Sequence, residues 1–278
     1  HYTRGVSGLI FIIKLTEQKI QNGVINMKYY EDFLKLEVFN LEDAKKVVGS
    51  IENTKVILNS YLKKGLIKRV RRNLYCAVSL ENREATADRY LVASKINNDA
   101  YLAYHSAFEI HGLSHQVSFI VYVASGQKIS DFEFEGVLYK YVGKGLKEGI
   151  THYHLNNKIR FTDLERTVVD CLDRLDYCGG VHELDEILKI CRVLDETKLA
   201  KYLEIYDKRI LYKKAGYFME RYQQSLGITN DFLSHIEKKT GNTRSYLDEK
   251  AKNGNGILIK RWGLIVPKTL EVKDDIFV

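Results

Sequence analysis

A histidine beside a serine, His105–Ser106, is one pair in this 278-residue chain whose side chains can act as base and nucleophile. Residues adjacent in sequence rarely place an imidazole nitrogen against a hydroxyl productively, and no orienting acid or oxyanion-hole element accompanies them. Helix capping is the expected task of both. His105, His111 and His115 follow no familiar metal-ligand spacing. A second group of chemistry-bearing side chains is Asp163, Glu165, Arg166, Asp170 and Asp173 in "TDLERTVVDCLD". Paired carboxylates there can be read as a magnesium-dependent nuclease site. Thr162 and Glu165, however, have the spacing of a capping box, and Arg166 is set to pair with Asp170 one helical turn on. Asp248-Glu249-Lys250 has the acid-x-Lys spelling of a nuclease, but in a helical context. Neither GxxxxGK[ST] nor GxGxxG occurs. No catalytic residue, metal or cofactor is therefore assigned, and the chain is not read as an enzyme.

The third group is cationic. Six Lys or Arg fall in the ten positions Lys63 to Arg72, with no acid among them. From Asn53 to Leu80 there are seven bases and no acids, which equals the whole formal excess of +7. Like charges so crowded repel one another, unless a polyanion neutralises them. A basic stripe on a near-neutral body is the footprint of a nucleic-acid-binding surface.

The elements that carry this stripe follow from periodicity. Tyr29–Leu36 is a first short helix. Asn40 caps a second, Leu41–Val48, with Asp43 near its positive end. Asn53 or Thr54 caps a third, from Lys55 to about Lys64, closed by Gly65. Its apolar side is Ile57, Leu58, Tyr61 and Leu62. The pattern then switches to two strands, Leu66–Val70 and Leu74–Val78, joined by Arg71-Arg72-Asn73, where Asn tolerates a left-handed turn. Three helices and a basic hairpin read as a winged helix-turn-helix. Such a domain would place Lys55, Val56, Asn59, Ser60 and Lys63 in or beside the major groove of duplex DNA. Lys68, Arg69, Arg71, Arg72 and Asn73 would form the wing. Asn reads adenine bidentately, and an exposed Val meets a thymine methyl.

Beyond Glu81 the acids return and the elements lengthen. Helices are expected over Ala85–Asn97 and Ser106–His111, the latter closed by Gly112. Strands are expected over 117–124 and 150–155, with a hairpin over 132–141 around Glu135-Gly136. A helix opens at Thr162 and runs to about Leu175, burying Val168, Val169 and Leu172. Residues 181–224 are largely helical, with Asp195 or Thr197 capping one segment. In Tyr206–Tyr222 the bases alternate with aromatics, as in an amphipathic helix with Ile210, Leu211 and Tyr217 inside and lysines outside; an RNA- or toxin-facing surface is the other reading. A last strand pair surrounds Trp262-Gly263. The fold class is α+β: a winged helix-turn-helix over 27–80, then a larger mixed α+β domain over 81–278.

An apolar content of 45% suffices for sizeable cores. Cys76, Cys171, Cys178 and Cys191 show no C-x-x-C or zinc spacing and read as buried reduced thiols of a cytoplasmic protein. The apolar run Leu9–Ile13 is too short to cross a membrane. The first methionine is Met27, and Gly23-Val24 before it can be encoded by a ribosome-binding sequence. Residues 1–26 are accordingly expected to be a translated leader or non-native extension.

Three stretches, "LKKGLIKRVRRNLYCAV", "AYHSAFEIHGLSHQV" and "FTDLERTVVDCLDRLDYCGGVHELDEIL", resemble in this order the AbiEi family. These are antitoxins of bacterial type IV toxin–antitoxin systems, which act in abortive infection. The resemblance runs from about Met27 to the helix after Gly180 and is looser in the C-terminal quarter. One departure is Asn73, where the family usually has Gly before Leu-Tyr. The resemblance implies a winged helix that binds inverted repeats in its own promoter and represses it. It also implies a C-terminal domain that counteracts a neighbouring nucleotidyltransferase toxin without forming a stable complex. Tyr104, His105, Ser106, His111, Gly112, Thr162, Glu165, Arg166 and Asp170 would then serve structure or antitoxicity. The alternative is a winged-helix regulator with a ligand-sensing C-terminal domain and no toxin partner.

Overall fold

The computed structural model describes residues 27–114, 117–153, 158–254 and 256–271. The expected extension 1–26, His115 and the end of the strand expected at 150–155 lie outside the described residues. The chain divides into two compact units, one ending at Ala87 and one beginning at Asp88. The first unit thus runs on past Leu80, where the sequence reading ends it. Thr86 N donates to Ala77 O at 3.0 Å and Val78 bridges to Ala85, which fastens the connecting loop to the first unit.

The first unit runs α1 (Tyr30–Leu36), β1 (Val38–Asn40), α2 (Leu41–Val48), α3 (Ile51–Lys63), β2 (Ile67–Arg71) and β3 (Leu74–Ala77). Its antiparallel sheet has the order β1-β3-β2. This is a winged helix-turn-helix, with one strand the periodicity did not reveal. β1 is only three residues long, too short to alternate, and its last residue doubles as a helix cap. Asn40 accepts from Asp43 N at 2.9 Å while the Asp43 carboxylate accepts from Asn40 N at 3.3 Å, a reciprocal capping box. α3 starts one turn earlier than expected. Ser50 is its cap and accepts from Asn53 N at 3.2 Å, so Asn53 and Thr54 lie inside the helix. Thr54 is buried, and its hydroxyl donates to Ser50 O at 2.6 Å. Around it Phe33 stacks on Phe39 at 4.6 Å and meets Tyr61 edge-on at 5.8 Å. All three rings are fully buried. Burial of this kind contributes roughly 1.5–3 kcal/mol per large side chain.

The second unit opens with α4 (Arg89–Ser94), shorter than the expected Ala85–Asn97 because Asp88 caps it, accepting from Tyr90 N at 2.6 Å. There follow β4 (Tyr101–Leu102), α5 (His105–Ile110), β5 (Ile120–Ala124), β6 (Phe132–Phe134), β7 (Val137–Tyr141), β8 (Ile150–His152) and β9 (Arg160–Thr162). These strands form one six-stranded mixed sheet, ordered β6-β7-β5-β4-β9-β8. β4 is its centre: antiparallel to β5 and parallel to β9.

A helical layer comes next: α6 (Leu164–Asp173), α7 (Val181–Ile190), α8 (Glu196–Tyr206), α9 (Arg209–Arg221), α10 (Gln223–Leu226) and α11 (Asn230–Glu237). Val168, Val169 and Leu172 of α6 are fully buried in its core, as the stripe requires. A three-stranded sheet closes the unit, with β10 (Ser245–Tyr246), β11 (Gly256–Ile259) and β12 (Leu264–Pro267) flanking α12 (Glu249–Lys252), and α13 (Lys268–Glu271) last.

Helix α9 corrects the amphipathic reading of Tyr206–Tyr222. Every residue from Leu211 to Met219 is buried, so the helix is the axis of the layer and has no lysine-lined outer face. Lys214 Nζ donates to Leu172 O at 3.0 Å and Lys213 Nζ to Thr243 O, so each buried ammonium ends on a carbonyl. Desolvation lowers the pKa of both. Gly216 lets Trp262 lie flat on the helix: a Cβ there would stand 2.2 Å from the indole ring.

Candidate functional site

The basic stripe sits on two adjacent surfaces of the winged helix. Helix α3 buries Thr54, Leu58 and Tyr61, and that choice turns Lys55, Val56, Asn59 and Lys63 to solvent. Ser60 is half-buried beside them. Val56 is 67% exposed, unusual for an aliphatic residue on a helix with an otherwise ordinary core face. The hairpin presents Arg69 and Arg72 to solvent, whereas Lys68 and Arg71 are half-buried. Arg69 lies over the Tyr75 ring at 5.8 Å, its cross-strand neighbour. Asn73 holds the turn at φ 60, the left-handed conformation expected of it. It also does something periodicity did not show: its Oδ1 accepts from Leu41 N at 3.1 Å, pinning the turn to the start of α2. The turn is thus anchored, and Arg69 and Arg72 are the exposed bases of the hairpin.

In the second unit the motif residues act singly. Tyr104, not His105 or Ser106, occupies the N-cap position of α5, and no side chain caps it. Ser106 Oγ instead accepts from Tyr122 N at 3.0 Å, tying the helix to β5. His105 is buried, with Nε2 3.2 Å from Ser114 Oγ and within 3.6 Å of Glu109 and Glu183 carboxylate oxygens. His105 and Ser106 are therefore engaged elsewhere and form no base–nucleophile pair. His111 Nε2 donates to Thr162 O at 2.9 Å, and desolvation lowers its pKa. Gly112 closes α5 at φ 72, where Leu113 N reaches back to Phe108 O.

The capping box expected at Thr162–Glu165 does not form; a single side-chain cap stands one residue on. Asp163 caps α6 and accepts from Arg166 N at 2.9 Å, since Thr162 still belongs to β9. The Thr162 hydroxyl pairs with Thr167, and Glu165 accepts from Asp195 N at 3.1 Å and from Lys198 at 3.2 Å. Arg166 and Asp170 do pair one turn apart, at 2.6 Å and nearly fully buried. Desolvation disfavours the guanidinium charge, but Asp170 outweighs it and raises the Arg166 pKa above its ordinary range.

That ion pair forms the floor of a cavity of about 270 Å³. Tyr206 donates to Asp170 at 2.5 Å and Tyr101 donates to Leu146 O at 3.2 Å. Arg166 Nη1 donates to Glu148 O at 2.7 Å. The loop carrying Lys144 therefore lies directly on the buried arginine, and a Cβ at Gly145 would meet Tyr101 Oη at 2.1 Å. The rim carries Lys144, Arg174 and Lys208; Lys208 pairs with Asp173 at 2.7 Å. Tyr104 lines the cavity with φ 55, rare for a bulky side chain. The residues come from five segments, so no single motif announced them. The signal available was Gly143-Lys144-Gly145 after a strand, a cation between two glycines. Among the described residues no group of three or more His, Cys, Asp or Glu is placed to hold a metal ion.

No family model and no curated protein matches the chain. A solved structure does. The crystal structure of the Rv2827c protein from Mycobacterium tuberculosis superposes with a TM-score of 0.58 at 12% identity, covering 82% of this chain and 86% of that one. At that identity the likeness concerns the fold alone. The same order of a helical N-terminal region and a larger α+β domain thus occurs in a very different sequence. None of the described helices is long and apolar enough to cross a membrane.

Proposed function

We propose that this chain is a cytoplasmic DNA-binding antitoxin that represses its own promoter through the winged helix. The observation that carries the reading is the coincidence of charge and fold. Six of the seven bases of the acid-free stretch fall on α3 and the hairpin, the two elements that a winged helix lays on duplex DNA, and the seventh, Lys64, is the C-cap of α3. Lys55, Asn59 and Lys63 would enter the groove, and Arg69 and Arg72 would contact flanking phosphates. Repression is occupancy: phosphate contacts set affinity and register, and Asn59 with Val56 would read bases.

The antitoxin role of the second unit rests on the three motifs that resemble the AbiEi family. In this reading the unit counteracts a nucleotidyltransferase toxin without chemistry of its own. Arg166, Asp170, Thr162 and Glu165 are consumed by internal partners, which favours binding over catalysis. The test is co-expression with the neighbouring reading frame, using the full chain and residues 88–278. Growth rescued by both supports the reading. A folded fragment that fails to rescue, or a neighbour that encodes no nucleotidyltransferase, contradicts it. A regulator without a toxin partner is the second reading, favoured by the Tyr104-lined cavity.

A further inference from the structure

We infer that the cavity over the Arg166–Asp170 pair binds a small organic phosphate. This goes beyond the antitoxin reading and stands whether or not a toxin exists. The lining holds four cations, Lys144, Arg166, Arg174 and Lys208, against two acids, Asp170 and Asp173. Both acids are already spent, Asp170 on Arg166 and Tyr206, Asp173 on Lys208. Arg174 is shared with Asp176, which lies outside the lining. Lys144 has no acid partner among the described residues. The lining is thus net positive, and Lys144 is the cation left for an incoming anion.

Three further features make this a built site. Besides the carboxylates, neutral acceptors fix the floor: Glu148 O takes Arg166 and Leu146 O takes Tyr101, which adds no negative charge. The loop bearing Lys144 is drawn onto that floor by Gly145, where no larger residue fits. Tyr104 is kept in a backbone conformation that costs of order 1 kcal/mol or more, and such strain concentrates at ligand sites. The organic part of the ligand has somewhere to go, because Tyr101, Tyr104 and Tyr206 line the same space. Burial raises all three phenols, so they stay protonated; Tyr101 and Tyr206 already donate to Leu146 O and Asp170, which leaves the Tyr104 hydroxyl to donate to a phosphate oxygen. A cavity of about 270 Å³ suits a molecule no larger than a mononucleotide.

The probes are AMP, inorganic phosphate and adenosine, titrated calorimetrically into the full chain at low salt. The expected result is saturable AMP binding with a Kd of about 1 mM or tighter, weaker binding of phosphate and none of adenosine. Lys144→Ala should weaken AMP about tenfold, and Lys144→Arg should restore it to within about twofold. Lys147→Ala, an exposed neighbour outside the lining, should leave it unchanged. Melting curves of each variant establish that the fold is intact, which an exposed loop position permits. No binding of AMP, equal binding of adenosine and AMP, equal binding of phosphate and AMP, or an unaltered Lys144→Ala titration would each overturn the assignment.

Discussion

The Asn73 side chain accepts a hydrogen bond from the backbone amide of Leu41, 3.1 Å away across thirty-two residues. One residue thereby turns the basic hairpin at φ 60 and satisfies an otherwise open donor at the first turn of α2. The wing is fixed to the helical body by a side chain that glycine could not supply. Asn73→Ala loses both the hydrogen bond and the tolerance of the left-handed conformation. It should destabilise the first unit by roughly 1–2 kcal/mol, and Asn73→Gly by less. Urea unfolding of the three proteins checks the order. Equal midpoints for Asn73→Ala and the parent would contradict it.

The Arg166–Asp170 pair should behave as a buried ion pair behaves when halved. Arg166→Ala leaves the Asp170 carboxylate in a site that is almost fully desolvated. A loss of about 3–5 kcal/mol is expected. Arg166→Met with Asp170→Leu should recover much of it, because no charge is then stranded. Denaturant melts of the single and double variants measure this directly, and additive losses would refute it.

Gly216 and Trp262 give a packing test with its own reporter. Gly216→Ala would drive a methyl group into the indole, at 2.2 Å. Overpacking of this kind costs about 1–3 kcal/mol, and relief requires the ring to move. Trp262 is the chain's single tryptophan, so its fluorescence should shift red as Nε1 leaves Glu220, now 2.6 Å away. An unshifted spectrum with unchanged stability would show that the helix yields instead.

His111 sets a pH dependence. Burial lowers its pKa, while the carbonyl of Thr162 and the Asp163 and Glu165 carboxylates oppose the shift and Lys198 reinforces it. The folded form thus binds its proton less readily than the unfolded form, whose His pKa is about 6.5. Above that value both are neutral and nothing is lost. As pH falls below it, the unfolded chain gains a proton first and stability declines. His111→Gln should show a shallower decline between about pH 7 and pH 5. Superimposable stability profiles for the two proteins would exclude His111 as the source.

What could be read from the sequence followed length and periodicity. Helix α3, the hairpin and the α6 stripe each carry a repeat long enough to show a face, and all are present. β1 was invisible because three residues cannot alternate. The observed caps of α3 and α6 stand one to four positions from the expected ones because Ser50, Asn53 and Thr54, or Thr162 and Asp163, are all competent cap residues. Only the neighbouring elements decide among them. Lys213 and Lys214 misled most: a basic pair reads as surface, and its burial depends on carbonyls at Leu172 and Thr243 far along the chain. The cavity could not be read either, since Tyr101, Lys144, Arg166 and Tyr206 meet only through the sheet and helical layer.

The central claim is that the exposed bases of the first unit meet duplex DNA. Its most direct test is fluorescence anisotropy of the full chain with a duplex from its own promoter, repeated across salt concentrations. Binding should weaken linearly in log–log form as phosphate contacts release counterions. Arg69→Ala and Arg72→Ala should each lower the slope by about 1, and Asn59→Ala should reduce preference for the promoter over a scrambled duplex by roughly 1–3 kcal/mol. A slope unchanged when both arginines are gone, or no binding by the parent protein, would contradict the account.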